Sequence, residues 1–163
     1  YFNPVGAHES GLIGENPKGI PNNIFPFINQ VACANEVKLS IFGNDWPTKD
    51  GTGIRDYIHV MDLAEGHVKT LNYLSNFESH NISLNIGNAK GTSVLELVDV
   101  FEKVNNVKIP YIIKSRREGD VARLVADNSL LKRTLNWVPS RSIEDMCIDG
   151  WKWKNLNPNG FQD

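Results

Sequence analysis

Asp50-Gly51-Thr52-Gly53-Ile54-Arg55-Asp56-Tyr57-Ile58-His59-Val60-Met61-Asp62 passes from a glycine-rich loop through a short strand into a helix. Glycine, aspartate and threonine over Gly43–Gly53 punctuate the chain as a loop. Arg55–His59 reads as a strand, and Met61 to Leu74 as a helix with Asp62 near its positive end. A strand feeding directly into a helix is the unit from which α/β folds are built.

The same alternation continues outward in both directions. Upstream, Tyr1–Val5 reads as the end of a buried strand, residues 6–20 as a long glycine-rich loop, and Pro21-Asn22-Asn23 as the opening of a helix to Ala34. Asparagine there suits a cap, and Pro26 falls in the first turn, where helices tolerate it. Lys38–Phe42 alternates as a strand. Downstream come a strand at Ile82–Ile86 and a helix capped at Thr92 or Ser93 and running to Val104. Its Leu95, Val98 and Phe101 lie at helical spacing, and Ser93 with Glu96 forms a capping-box pattern. A strand at Pro110–Lys114, a polar loop Ser115–Asp120, and helices at Asn128–Leu135 and Ile143–Leu156 complete the chain. Trp151 and Trp153, two apart on the last helix, point different ways, one toward the core and one over the chain end.

The 163 residues are 40% hydrophobic and 22% charged, ordinary for a globular chain with a real core. A net charge of −2 gives no general basic field for nucleic acid, so an anion site must be local. No apolar run reaches the roughly 20 residues of a membrane helix, and neither a signal peptide nor a lipidation motif is expected from these residues. Cys33 and Cys147 form neither a disulfide framework nor a zinc pattern. They read as buried or half-buried thiols of a reducing compartment, which points to the cytoplasm. His8, His59, His67 and His80 show no metal-ligand spacing, and His59 reads as a satisfied, half-buried side chain.

Three polar clusters lie at the edges of ordered elements. Asn3 stands at a strand tip near the helix-opening Asn22 and Asn23, where backbone N–H groups favour an anion. Arg55-Asp56-Tyr57 follows the glycine-rich loop, and Arg116-Arg117-Glu118-Gly119-Asp120 forms a second basic–acidic cluster. Two arginine forks match a diphosphate, and a carboxylate accepts ribose hydroxyls. The residues alone equally allow helix caps, internal salt bridges and solvated charge. A Gly-x-Gly-x-x-Gly turn is absent; Gly51-Thr52-Gly53 lacks the third glycine and precedes a strand rather than a helix. No tyrosine is followed four residues later by lysine: Tyr1, Tyr57, Tyr73 and Tyr111 lead to Val5, Met61, Phe77 and Ser115.

Taken together and in order, several stretches resemble the UDP-glucose 4-epimerase (UDP-galactose 4-epimerase) family of the extended short-chain dehydrogenase/reductase superfamily. They are Tyr1-Phe2-Asn3-Pro4-Val5-Gly6-Ala7-His8, Gly19-Ile20-Pro21-Asn22-Asn23, Ile41-Phe42-Gly43-Asn44-Asp45, Asp50 to Val60, and Arg116 to Asp120. The likeness covers essentially the whole chain and corresponds to the C-terminal half of such an enzyme. It implies an α/β substrate-binding part carrying remnant strands of the Rossmann sheet, with residues 1–163 forming the sugar-nucleotide-binding portion. The NAD-binding part and the catalytic Tyr-x-x-x-Lys are then expected upstream, consistent with a first residue, Tyr1, that is not methionine.

The resemblance also implies roles. Phe2 lies near the nicotinamide of NAD, and Asn3, Asn23 and Ile24 face the UDP-hexose. Ser40 and Phe42 line the uracil pocket, Arg55 and Arg117 hold the diphosphate, Asp120 takes the ribose hydroxyls and Val94 packs beside them. Leu124 stands where some members carry tyrosine beside the hexose C2 substituent, which implies a roomier pocket for N-acetylated sugars. No catalytic residue and no metal ligand is expected within these residues, and a homodimer is expected of the complete enzyme. Short motifs of this set recur in UDP-glucuronate decarboxylases and dTDP-glucose 4,6-dehydratases, and a non-catalytic UDP-sugar-binding module is the reading from a different class.

Overall fold

A computed structural model describes residues 2–34 and 37–161. In chain order the elements are β1 (Asn3–Val5), α1 (Ile24–Cys33), β2 (Leu39–Phe42), β3 (Ile54–Arg55), β4 (Tyr57–His59), α2 (Val60–Leu74), β5 (Thr92–Ser93), α3 (Val94–Asn105), β6 (Tyr111–Lys114), β7 (Arg123–Leu124), α4 (Ser129–Leu135) and α5 (Ile143–Leu156). The strands are short and fall into three small sheets. β1 pairs with β4 in parallel, β2 pairs with β6 in parallel, and β3 lies between antiparallel β5 and parallel β7.

The expected strand Arg55–His59 is two strands in different sheets, and Asp56 is the reason. Its fully buried carboxylate accepts N–H bonds from Asn88 at 2.8 Å, Ala89 at 2.9 Å and Ala126 at 3.1 Å. A buried charge persists when such donors satisfy it. The chain therefore turns its side chain inward at Asp56 and passes from the β5–β3–β7 sheet to the β1–β4 pair. Ala89, one of the donors, is held at φ 57° in the left-handed region.

The main core joins α1, α3, α5 and the strands through Phe25, Ile28, Leu39, Ile41, Leu97, Phe101 and Met146. Phe101 meets Phe25 edge-on at 5.9 Å and Trp151 edge-on at 5.8 Å. Trp153 is buried, donates its ring N–H to the Glu15 carbonyl at 3.1 Å and packs on Phe161 at 4.7 Å, so it does cover the chain end. Ser93 and Ser142 both close complete capping boxes, with Glu96 and Asp145.

Two expectations need correction. Ile82–Ile86 forms no strand, because its burial comes from side chains alone. Leu84 and Ile86 pack on Ile58, Leu63 and Leu131 without a backbone ladder. Cys33 is exposed rather than buried, since it ends α1 on the side away from the core; Cys147 is buried, which pushes its thiol up to about 12, with Glu144 nearby adding to the rise. The 6–20 loop is fastened to α5: Lys152 donates to the Glu9 carbonyl at 2.7 Å and Asn157 to the Gly11 carbonyl at 2.9 Å.

Candidate functional site

A cavity of about 450 Å³ opens between the start of α1, β2, the β3–β4 junction, the start of α3 and the loop that follows β6. Nine of the eleven residues expected from sequence line it: Asn3, Asn23, Ile24, Ser40, Phe42, Arg55, Val94, Arg117 and Asp120.

Its centre is a charge cluster. Arg55 ends β3, and its Nη1 donates to the carbonyls of Ile54 at 2.9 Å and Val121 at 2.8 Å. Its Nη2 donates to Asp120 Oδ1 at 3.2 Å. Arg117 reaches the other oxygen, Nε to Oδ2, also at 3.2 Å. The guanidinium of Arg117 stacks 4.7 Å above the Phe42 ring. Two planar cations thus meet at one carboxylate at the cavity wall, an arrangement that suits a bidentate, doubly charged anion beside a hydrogen-bond acceptor.

The helix mouth contributes differently from expectation. Asn23 occupies the N-cap position of α1 with extended backbone, but its side chain caps no helix N–H. It lines the cavity instead, next to the free N–H groups of the first turn, where negative charge is favoured. Pro26 lies in that turn, where its missing N–H costs no intrahelical bond. Along β2 the pleat buries Leu39 and Ile41 while leaving Ser40 and Phe42 half-buried. Val94 is fixed at the start of α3 by its N–H to the Gly53 carbonyl at 3.2 Å.

Asp50 ties the glycine-rich loop to α3. Ser93 Oγ donates to it, as do the N–H and hydroxyl of Thr52 at 2.9 and 2.8 Å. Burial pushes its carboxyl up, yet these hydrogen bonds outweigh burial and hold it below the usual carboxylate range. This tie fixes the wall from which Arg55 emerges.

Phe2 and Leu124 do not line the cavity. Phe2 is half-buried just before β1, and Leu124 is half-exposed on β7, paired with Arg55. Sequence reading missed Phe27, Gln30 and Val31, Val37 and Lys38, and Trp46. Ile24, Phe27 and Val31 recur at helical spacing and betray one lining face of α1; Trp46, in an irregular loop, carries no periodic signal.

Among the described residues no group of three or more His, Cys, Asp or Glu is arranged for a metal ion, and no helix is long and apolar enough to cross a membrane. The glycines of the 43–53 loop serve packing rather than a dinucleotide. A Cβ at Gly51 would lie 2.7 Å from the Asn44 carbonyl carbon, and one at Gly53 would press on the Arg55 guanidinium at 3.2 Å.

Strand–helix alternation around this cavity puts the chain in the class of α/β proteins. Residues 1–149 match the family described as GDP-mannose 4,6 dehydratase, and the chain belongs to that family. It is 53% identical over 162 residues to UDP-glucose 4-epimerase of Bacillus subtilis (strain 168), covering 99% of this chain and 48% of the relative. The UDP-glucose 4-epimerase of Stenotrophomonas maltophila, solved with NAD and formylated UDP-arabinopyranose, superposes with a TM-score of 0.92 at 49% identity. That match covers 97% of this chain and 47% of that one. The enzyme of Bifidobacterium longum, solved with NAD+ and UDP, gives 0.93 at 46% identity, covering 99% and 48%. The chain thus spans about half the length of the curated relatives it matches, and they align over their C-terminal half.

Proposed function

We propose that residues 1–163 form the sugar-nucleotide-binding half of an NAD-dependent UDP-glucose 4-epimerase, which interconverts UDP-glucose and UDP-galactose. The observation that carries this reading is the convergence of Arg55 and Arg117 on Asp120 at the cavity wall. The two guanidinium groups hold the diphosphate. Asp120, already an acceptor there, takes the ribose hydroxyls, and Ser40 and Phe42 flank the base. Asn3, Asn23 and Ile24 face the hexose. Anchoring the ligand by its nucleotide leaves the sugar free to present either face, which places binding energy on the non-reacting part. NAD, held mainly by residues N-terminal to this chain, supplies reversible oxidation at hexose C4. Support for the cofactor comes from the relatives solved with NAD.

Titration of UDP and uridine into the complete protein tests the reading. Wild type should bind UDP far more tightly than uridine. Arg117→Ala should lose about tenfold or more in UDP affinity, the scale of a charge-assisted hydrogen bond. Wild-type UDP affinity in an Arg55→Ala/Arg117→Ala double variant would overturn it. The 163 residues alone carry no Tyr-x-x-x-Lys and should show no turnover in a coupled epimerase assay; activity above background would contradict the assignment of the proton-transfer group to the other half.

A further inference from the structure

Arg116 precedes the diphosphate-facing Arg117 but does not line the cavity. Its side chain turns the other way. Nε donates to Asp45 Oδ1 at 2.7 Å, Nη2 donates to the Asp45 carbonyl at 2.6 Å, and the guanidinium lies 3.8 Å above the Trp46 ring. Trp46 itself lines the cavity. The two neighbouring arginines therefore seat on two aromatic residues of one segment, Arg117 on Phe42 and Arg116 on Trp46.

The segment between those rings is tightly built. The Gly43 N–H extends the β2–β6 ladder to the Lys114 carbonyl at 2.8 Å. A Cβ at Gly43 would lie 2.7 Å from Trp46 Nε1 and 2.9 Å from Arg116 Cγ, so the clasp closes directly over a glycine held at φ 80°. Trp46 N–H donates to the Gly51 carbonyl at 3.0 Å, which carries the clasp on to the loop that ends at Arg55. Arg116 also holds the Asp45 carboxyl below the usual carboxylate range, chiefly through their hydrogen bond, so the pair stays charged well into mild acid. Exposed ion pairs add little to stability, so this contact matters through geometry.

We propose that Arg116 is a positioning residue for the nucleotide site: by clasping Asp45 and Trp46 it holds the cavity wall, and its neighbour Arg117, in register for the diphosphate. The proposal rests on the UDP-binding reading above. It assigns Arg116, Asp45 and Trp46 a role in affinity for the phosphates and none in the chemical step.

The test compares UDP and uridine binding, KM and kcat in the complete protein for Arg116→Ala, Asp45→Ala and their combination, with Arg117→Ala as reference. Arg116→Ala should weaken UDP binding about tenfold and raise KM in parallel, while uridine affinity and kcat stay within about twofold. Asp45→Ala, at a mostly exposed side chain, should fold normally and reproduce part of the loss. The double variant should match Arg116→Ala alone, because one clasp is broken only once. If Arg116→Ala binds UDP as wild type while Arg117→Ala is weakened, the clasp is refuted and the diphosphate site stands. Equal losses for UDP and uridine would also refute it, since they mark general loosening. Unchanged UDP binding in Arg117→Ala would instead remove the underlying reading, and the clasp with it.

Discussion

His59 shows how one side chain couples the strand, the helix and the last element. It is fully buried, its Nδ1 accepts the Met61 N–H at 3.0 Å as the cap of α2, and its Nε2 donates to Asp149 at 3.2 Å. An accepting Nδ1 requires the neutral ring. Burial lowers its pKa below the usual histidine value, and nearby Arg141 adds to this; Asp149 and Asp62 oppose but do not reverse it. A folded pKa below the unfolded one gives stability that is full above about 6.5 and lost as pH falls toward the folded value. Urea midpoints should therefore decline from pH 7.5 to 5, and His59→Asn, which keeps a capping acceptor, should flatten the difference between those two pH values. Equal slopes in both proteins would refute the linkage. At Leu124, the expectation of a roomier sugar pocket predicts that Leu124→Tyr lowers kcat/KM for UDP-N-acetylglucosamine at least tenfold relative to UDP-glucose, by narrowing the space around C2. An unchanged ratio in the coupled assay would remove Leu124 from any part in sugar specificity. The paired arginines were legible as candidates by residue type, but only the resemblance implies that they hold a diphosphate. Trp46 was not, because its place at the cavity depends on a contact with Arg116, distant in sequence.

At the scale of elements, the close approach of α5 to α1 decides packing. Gly150 lies on α5 where a Cβ would come 2.7 Å from Phe25 Cζ, and Phe25 is itself wedged against Phe101. Alanine raises helix propensity by about 1 kcal/mol over glycine. Overpacking a filled core costs typically about 1–3 kcal/mol. The ring has no room to yield, so Gly150→Ala should lower the denaturation midpoint, and adding Phe25→Leu should recover part of the loss. A midpoint at or above wild type for Gly150→Ala alone would show that α5 slides freely. The α3 cap was readable from sequence because Ser93 and Glu96 bond locally, whereas the matching Ser142–Asp145 box at α5 was not picked out and the Asn23 side chain caps nothing at α1. The short strands were less so. β7 is only Arg123–Leu124 and owes its existence to pairing with β3, while Ile82–Ile86 has strand-like composition but no partner to pair with among the described residues.

At the scale of the molecule, the sheets raise the question of independent stability. β1 and β4 form only a two-stranded parallel pair, with Asn3 opposite Tyr57 and Val5 opposite His59. Parallel strands are normally covered on both faces and flanked by further strands, and two strands alone are marginal in water. Relatives are about twice as long, and the resemblance places this pair at the remnant edge of a larger Rossmann sheet. The core of α1, α3 and α5 forms between helices distant in sequence and is covered on several sides, whereas the β1–β4 pair has no further strand beside it among the described residues. We therefore expect the 163 residues alone to unfold over a broad, low-temperature transition and to bind a hydrophobic dye at their exposed apolar surface. Co-expression with the N-terminal half of a close relative should yield one sharp transition and restore strong UDP binding, because the strands gain partners before the cavity wall is asked to hold charge. A steep, cooperative melt of the isolated chain, with coincident signals from tryptophan fluorescence and far-ultraviolet dichroism, would show that α1, α3 and α5 suffice. The loss of turnover in that chain would then reflect missing chemistry rather than a missing fold.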